Sequence, residues 1–146
     1  MTRSRFLVVA AALPGVFGLV MLLLPALMLG NSLTGVPDDY TVAVTRWVGF
    51  AVLSVAVITF LSRNDDGSPA LHAVMIGNVV FHLLGIAVDM FGYVGGTMTA
   101  SGLVTGLVPH MLLTVGFVWF LRRGDWADDS ARARLVAEEP ELRRHP

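Results

Sequence analysis

The sequence contains neither cysteine nor lysine. The first absence removes disulfides, thiolate metal ligands, cysteine nucleophiles and CxxC redox pairs, and it leaves the redox character of the compartment open. The second removes Schiff-base and acylated-lysine chemistry. Charge is scarce as well: 14% of the 146 residues are charged, and the formal net charge is -1. Without a basic excess there is no electrostatic footprint for nucleic acid, which is therefore not expected as a partner. Catalytic signatures are missing too. There is no HExxH, no phosphate loop and no nucleophile elbow in a Ser-His-Asp order, so enzymatic activity has no positive support. No repeat of fixed period suggests a solenoid or propeller.

What the chain has is apolar sequence: 55% of its residues are hydrophobic and the mean hydropathy is +0.71. These residues gather into four runs, 6–29, 41–62, 70–91 and 102–121. At about 1.5 Å per residue each run is long enough to cross a hydrocarbon layer of about 30 Å, and a soluble core of this size could not bury them all. The expected fold is all-α, a bundle of four transmembrane helices over residues 1–123 followed by a polar tail, 124–146. The lipid bilayer is the expected partner. Arg3 and Arg5 precede the first run, as they would in a signal peptide, but its 24 residues exceed the roughly 7–15 of a signal h-region, so a retained span is expected. Pro14 with Gly15, and then Pro25, should bend that helix or break its hydrogen-bond ladder.

Gly35, Pro37, Asp38 and Asp39 mark a polar loop after the first run, residues 63–69 make a hydrophilic turn, and Gly95 and Gly96 lie in an uncharged loop at 92–101. Arg3, Arg5, Arg63, Arg122 and Arg123 fall on one side of this layout and only Arg46 toward the other, so both termini are expected on the cytoplasmic side. Tyr40, Trp47, Tyr93, Trp119 and Trp126 sit near the span ends, as interfacial aromatic residues do. In the tail, opposite charges interleave, and residues 130–139 could form a short surface helix.

Polar residues inside the runs each need an account, because a charged group at the bilayer centre costs about 2.5–3.5 kcal/mol on insertion scales. On the third run Asn78, His82 and Asp89 follow at spacings of four and seven, which puts them on one helical face. His72 falls off that face near the cytoplasmic end. On the fourth run Gly102, Gly106, His110 and Thr114 recur every four residues. The hairpin between these runs brings His82 and His110 to within roughly 3 Å of the same depth. Arg46 and Asp89 also lie at similar depths, so an ion pair between them is one expectation; snorkelling of Arg46 and hydration of Asp89 is the other. Gly102 and Gly106 form a GxxxG that would serve packing within the chain or dimerisation. Close helix contacts are expected at Gly15, Gly18, Gly49, Gly77, Gly85, Gly106 and Gly116.

Three readings of the His82–His110 constellation stay open: a neutral hydrogen-bonded pair fixing helix register, a proton or solute pathway with Asp89 and Arg46 at its outer mouth, and axial ligation of haem b. A hydrolytic metal site is not expected, since Asp89 lies about 10 Å along the axis from His82.

Arg5 before an apolar run holding Gly18 and Pro25, then Arg46-Trp47-Val48-Gly49 opening a second helix that ends near Arg63, resembles the DoxX-like group of small four-helix bacterial membrane proteins over residues 5–121. The resemblance implies an inner-membrane protein from a group in which some members accompany redox enzymes, hence a membrane-bound redox partner or a homo-oligomer. It transfers no catalytic residue. The resulting expectation is an accessory or structural membrane component. The alternatives are a subunit of a small transporter or proton/solute pathway using His82, His110 and Asp89, and a bis-histidine electron-transfer protein.

Overall fold

A computed structural model describes residues 1–123; the tail, with Trp126 and the expected helix at 130–139, lies outside the described residues. Five α-helices follow one another: α1 (Arg3–Leu23), α2 (Pro25–Ser32), α3 (Asp39–Leu61), α4 (Pro69–Val94) and α5 (Ala100–Arg123). A short 3-10 turn, Ser62–Asn64, extends α3. Four of these helices, α1, α3, α4 and α5, are long and apolar enough to cross a membrane.

Local sequence explains the helix starts. Thr2 caps α1 by accepting from the Arg5 N–H, Asp38 caps α3 by accepting from Thr41 N–H at 2.8 Å, and Ser68 caps α4 by accepting from Leu71 N–H at 3.1 Å. Pro69 is the first residue of α4, where a missing N–H costs nothing. The run 6–29 is divided into two helices at Pro25, the break that this proline led one to expect. Leu24 leaves the helical region, with φ -130° and ψ 47°, and Pro25 starts α2. The cause is local: a residue before proline is pushed out of the α region by the proline ring. Pro14, by contrast, is carried inside α1.

The bundle is built from two close pairs, α1 with α3 and α4 with α5. The first pair meets through glycines. A methyl group at Gly49 would lie 2.9 Å from the Gly18 carbonyl oxygen, and one at Gly18 would lie 3.0 Å from the Gly49 carbonyl oxygen, so the two backbones touch. Gly116 of α5 takes the edge of the Phe6 ring in the same way. Two glycines depart from the expected contacts: nothing approaches Gly77 within 4 Å, and Gly15 makes only an ordinary contact, 3.7 Å from Ala56 Cβ. Gly77 is exposed on α4, so the space a small residue leaves there faces away from the other helices.

The pairs join in a close-packed cluster of Phe6, Leu7, Ala10, Leu71, Met75, Leu113 and Phe117. Phe6 anchors it, with ring centroids 4.9 Å from both Phe117 and Phe120. This is the arginine-rich end of the bundle: Arg3 Nη2 donates to the Asp65 carbonyl at 2.6 Å, linking the start of α1 to the turn after α3, and Arg122 and Arg123 close α5. Guanidinium groups cover aromatic faces there, Arg63 over Phe60 at 3.8 Å and Arg123 over Trp119 at 4.2 Å. At the opposite end Leu33 and Met98 form a bridge, Thr99 N–H donates to Ser32 O at 2.9 Å, and the Thr34 hydroxyl donates to Gly96 O at 2.8 Å. The lateral surface is apolar on every helix, with Leu24, Trp47, Phe91 and Leu112 among many exposed side chains. A water-soluble bundle would present charge there.

Candidate functional site: an interhelical cavity with a polar wall

Toward the loop end the two pairs separate and leave a cavity of about 450 Å³. Phe17 of α1, Val52 of α3, Phe81 of α4 and Pro109 of α5 contribute to its apolar walls. Leu113 belongs both to the lining and to the packed cluster, so that cluster floors the cavity at the arginine-rich side. Met28 and Leu29 of α2 also line it, with Leu33 and Met98 of the bridge. The break at Leu24 makes this cover possible, because it frees α2 from the line of α1 to reach α5. There Ser32 rests on Gly102, where a methyl group would come 2.6 Å from the Ser32 carbonyl oxygen. Leu13 of α1, Val48 of α3, Leu84 and Val88 of α4 and Thr105 of α5 are lining residues that are also exposed, so the cavity is open at its sides.

Its polar wall is made by α4 and α5. His82 and His110 meet directly, Nδ1 to Nδ1, at 2.8 Å. With both rings neutral, such a bond requires one ring to carry its proton on Nδ1 and the other to present a lone pair there. His82 is 2% exposed, and its Nε2 is buried without a hydrogen-bond partner. Asp89 lies over Gly106, and a methyl group at that glycine would meet its carboxylate. His110 lies over Gly85, where a methyl group would come 2.5 Å from Nε2. Each helix thus carries a glycine and, four residues on, the side chain that fills the other helix's glycine gap: Gly85 and Asp89 on α4, Gly106 and His110 on α5. This reciprocal fit fixes where both functional groups stand. Asp89 Oδ2 is also buried without a hydrogen-bond partner.

The five polar residues read as a stripe do not act as one set. His82, His110 and Asp89 line the cavity. Asn78 instead turns to α3: its Nδ2 donates to Thr59 Oγ1 at 3.0 Å and to the Val74 carbonyl at 2.9 Å. Thr114 spends its hydroxyl on the His110 carbonyl at 2.8 Å, a bond within its own helix. The Arg46–Asp89 ion pair is not formed. Arg46 is exposed on α3, while Asp89 is turned onto α5 with Oδ2 unpaired. The GxxxG of Gly102 and Gly106 is occupied within the chain, by Ser32 and Asp89.

Thr59 and Pro109 belong to this region without having stood out in the sequence. A threonine inside an apolar helix usually bonds its own backbone, as Thr59 also does to Val55 O at 2.8 Å, so nothing marks it as a partner for Asn78. Gly85 carried a signal: it lies three residues after His82 and four before Asp89, on the same face.

As the two rings stand, bonded to each other, there is no room for a haem macrocycle between them. Ligands on opposite faces of one iron, each at a metal–nitrogen distance of about 2 Å, stand about 4 Å apart with the macrocycle between them. Here the Nδ1 atoms bond to each other at 2.8 Å and the ring centroids are 5.1 Å apart. Among the described residues no group of three or more His, Asp or Glu could hold a metal ion.

No curated protein and no solved structure matches the chain. Residues 8–138 match the family described as a domain of unknown function, DUF8292, and the chain belongs to that family.

Proposed function

We propose that this is a four-span protein of a bacterial cytoplasmic membrane, with both termini inside, serving as a non-enzymatic accessory component that holds a small lipophilic molecule in the outer half of its bundle. The carrying observation is the division of the interior: one half is close-packed around Phe6, Met75 and Phe117, and the other holds a cavity of about 450 Å³. That volume falls within the range of small-molecule sites, about 300–1,000 Å³, and largely apolar walls with a few converging polar groups are their usual chemistry. The arginine bias toward one end supports the orientation. The layout shared with DoxX-like proteins supports an accessory role. A through pathway is the weaker reading, because Met75 and Phe117, both fully buried, stand between the histidine pair and the arginine-rich end.

The absence of native cysteine makes the topology directly testable. Asp38→Cys should react with an impermeant maleimide on intact cells and Asp66→Cys only after permeabilisation; the reverse would overturn the orientation. The binding reading is tested by extracting the protein into nanodiscs and identifying retained small molecules by mass spectrometry. Val88→Trp, at the mouth, should lower the retained amount. Equal retention by the two proteins, or retention by neither, would refute it.

A further inference from the structure

The cavity lining presents more hydrogen-bond acceptors than free donors, the Ser32 hydroxyl and one imidazole N–H being among the donors left over. Thr45 and Thr105 line it, but their hydroxyls donate to their own helices, to Thr41 O and Ser101 O, each at 2.8 Å. One imidazole proton is consumed between His82 and His110. Pro109 is in the lining and supplies no N–H to the carbonyl four residues before it, that of Thr105, which also lines the cavity. Asp89 adds a carboxylate to the lining, with its Oδ2 closed off against Gly106. Among the described residues, Asp89, His82 and His110 are the ionisable side chains of the lining, so no guanidinium balances the acid. The His110 imidazole is the basic group facing the acid, and a carboxylate in an apolar setting with no fixed positive charge beside it favours a ligand that brings one together with N–H donors.

We propose that the cavity binds a lipophilic amine in its protonated form, with the N–H-bearing head on the Asp89 carboxylate and the apolar body between the two helix pairs. This rests on the reading of the cavity as a ligand site. The exposed lining residues, Val48, Leu84 and Val88 among them, leave the cavity open to a molecule entering from the surrounding lipid. The same ammonium chemistry is available from a free amine or from a phosphatidylethanolamine headgroup.

The test compares two ligands of one shape, adamantan-1-amine and adamantan-1-ol, by calorimetry on the full chain in phosphatidylcholine nanodiscs. The amine should bind the wild type about tenfold or more tightly than the alcohol, a difference of about 1.4 kcal/mol. Asp89→Asn should abolish that preference, and measurable alcohol binding by the variant shows the cavity still formed. Equal affinities in the wild type, or a preference that survives Asp89→Asn, would overturn the amine assignment with the cavity reading intact. Failure of both ligands to bind would overturn both. Replacing phosphatidylcholine with phosphatidylethanolamine separates the two sources: competition by the lipid headgroup weakens the amine, and a site for free amines holds its affinity.

Discussion

Adding a single methyl group at Gly49 should destabilise the bundle, and the same change at Gly77 should not. Both glycines are interior to a long helix, and Gly→Ala gains about 0.5–1 kcal/mol of helix stability where the space is free. At Gly77 nothing lies within 4 Å, so Gly77→Ala keeps that gain. At Gly49 the new methyl would meet Gly18 O at 2.9 Å, Met21 Cβ at 2.9 Å and Leu22 N at 3.0 Å. Two of these are backbone atoms, which cannot rotate away, so α1 and α3 must part by several tenths of an ångström along their contact. Overpacking of this kind costs about 1–3 kcal/mol. Since the helix-propensity gain is common to both variants, their difference isolates the contact, and Gly49→Ala should be less stable than Gly77→Ala by about 1–3 kcal/mol. Reversible unfolding in mixed micelles, followed by circular dichroism, measures this. Equal stability of the two variants would refute the close approach of α1 and α3 at Gly18 and Gly49.

Three further outcomes are expected. In a cycle of Asn78→Ala and Thr59→Val, the coupling should be about 0.6–1.7 kcal/mol, the range for buried bonds between membrane helices; additivity would mean that Asn78 finds its partner elsewhere. Arg46→Gln and Asp89→Asn should be additive within about 0.3–0.5 kcal/mol, because the two side chains do not meet, and a larger coupling would restore the ion pair. Asp65 accepts from the Ser68 N–H at 2.8 Å, the Ser68 hydroxyl at 2.7 Å and the Gly67 N–H at 2.9 Å, and these bonds, those of Ser68 foremost, hold its carboxyl below the usual carboxylate range. A depressed folded-state value means that the stabilisation is present above the unfolded value, near pH 4, and is lost as pH falls through the folded one. Melting temperature should therefore fall with pH more steeply in the wild type than in Asp65→Asn, and parallel pH profiles would refute the role of this carboxylate.

Much of the architecture was legible because bilayer-length apolar runs, turn formers and caps are local signals. Asp38 and Ser68 start helices where their side chains can accept from the N–H three residues on, and Pro69 follows Ser68 as the first helical residue. Pro25 signalled a break, yet its consequence was not readable, since turning α2 toward α5 depends on the Ser32–Gly102 approach between residues seventy apart. The polar residues were legible as individuals and not as partners. Spacing along α4 places Asn78, His82 and Asp89 on one face, but three different neighbours meet that face: Thr59 of α3, His110 and Gly106.

The same reasoning explains why a ligand cavity can hide in a sequence that reads as uniform lipid-soluble helix. Periodicity tells which face of a helix turns inward, while the distance between two inward faces is set by what each glycine receives. At Gly18 and Gly49 the glycines receive backbone, and the pair closes. At Gly85 and Gly106 they receive an imidazole and a carboxylate, so α4 and α5 close on each other while their polar atoms stay at the boundary with α1 and α3. At Gly116 the glycine receives Phe6, which draws the pairs together at the arginine-rich end only. A bundle pinned toward one end by an aromatic ring and the Asn78–Thr59 bond, and bridged at the other by the Leu33–Met98 contact, leaves the space between them to the cavity. Filling that gap with side chains alone would require larger residues where Gly85, Val88 and Gly106 now stand, and two of those three positions are already claimed by His110 and Asp89.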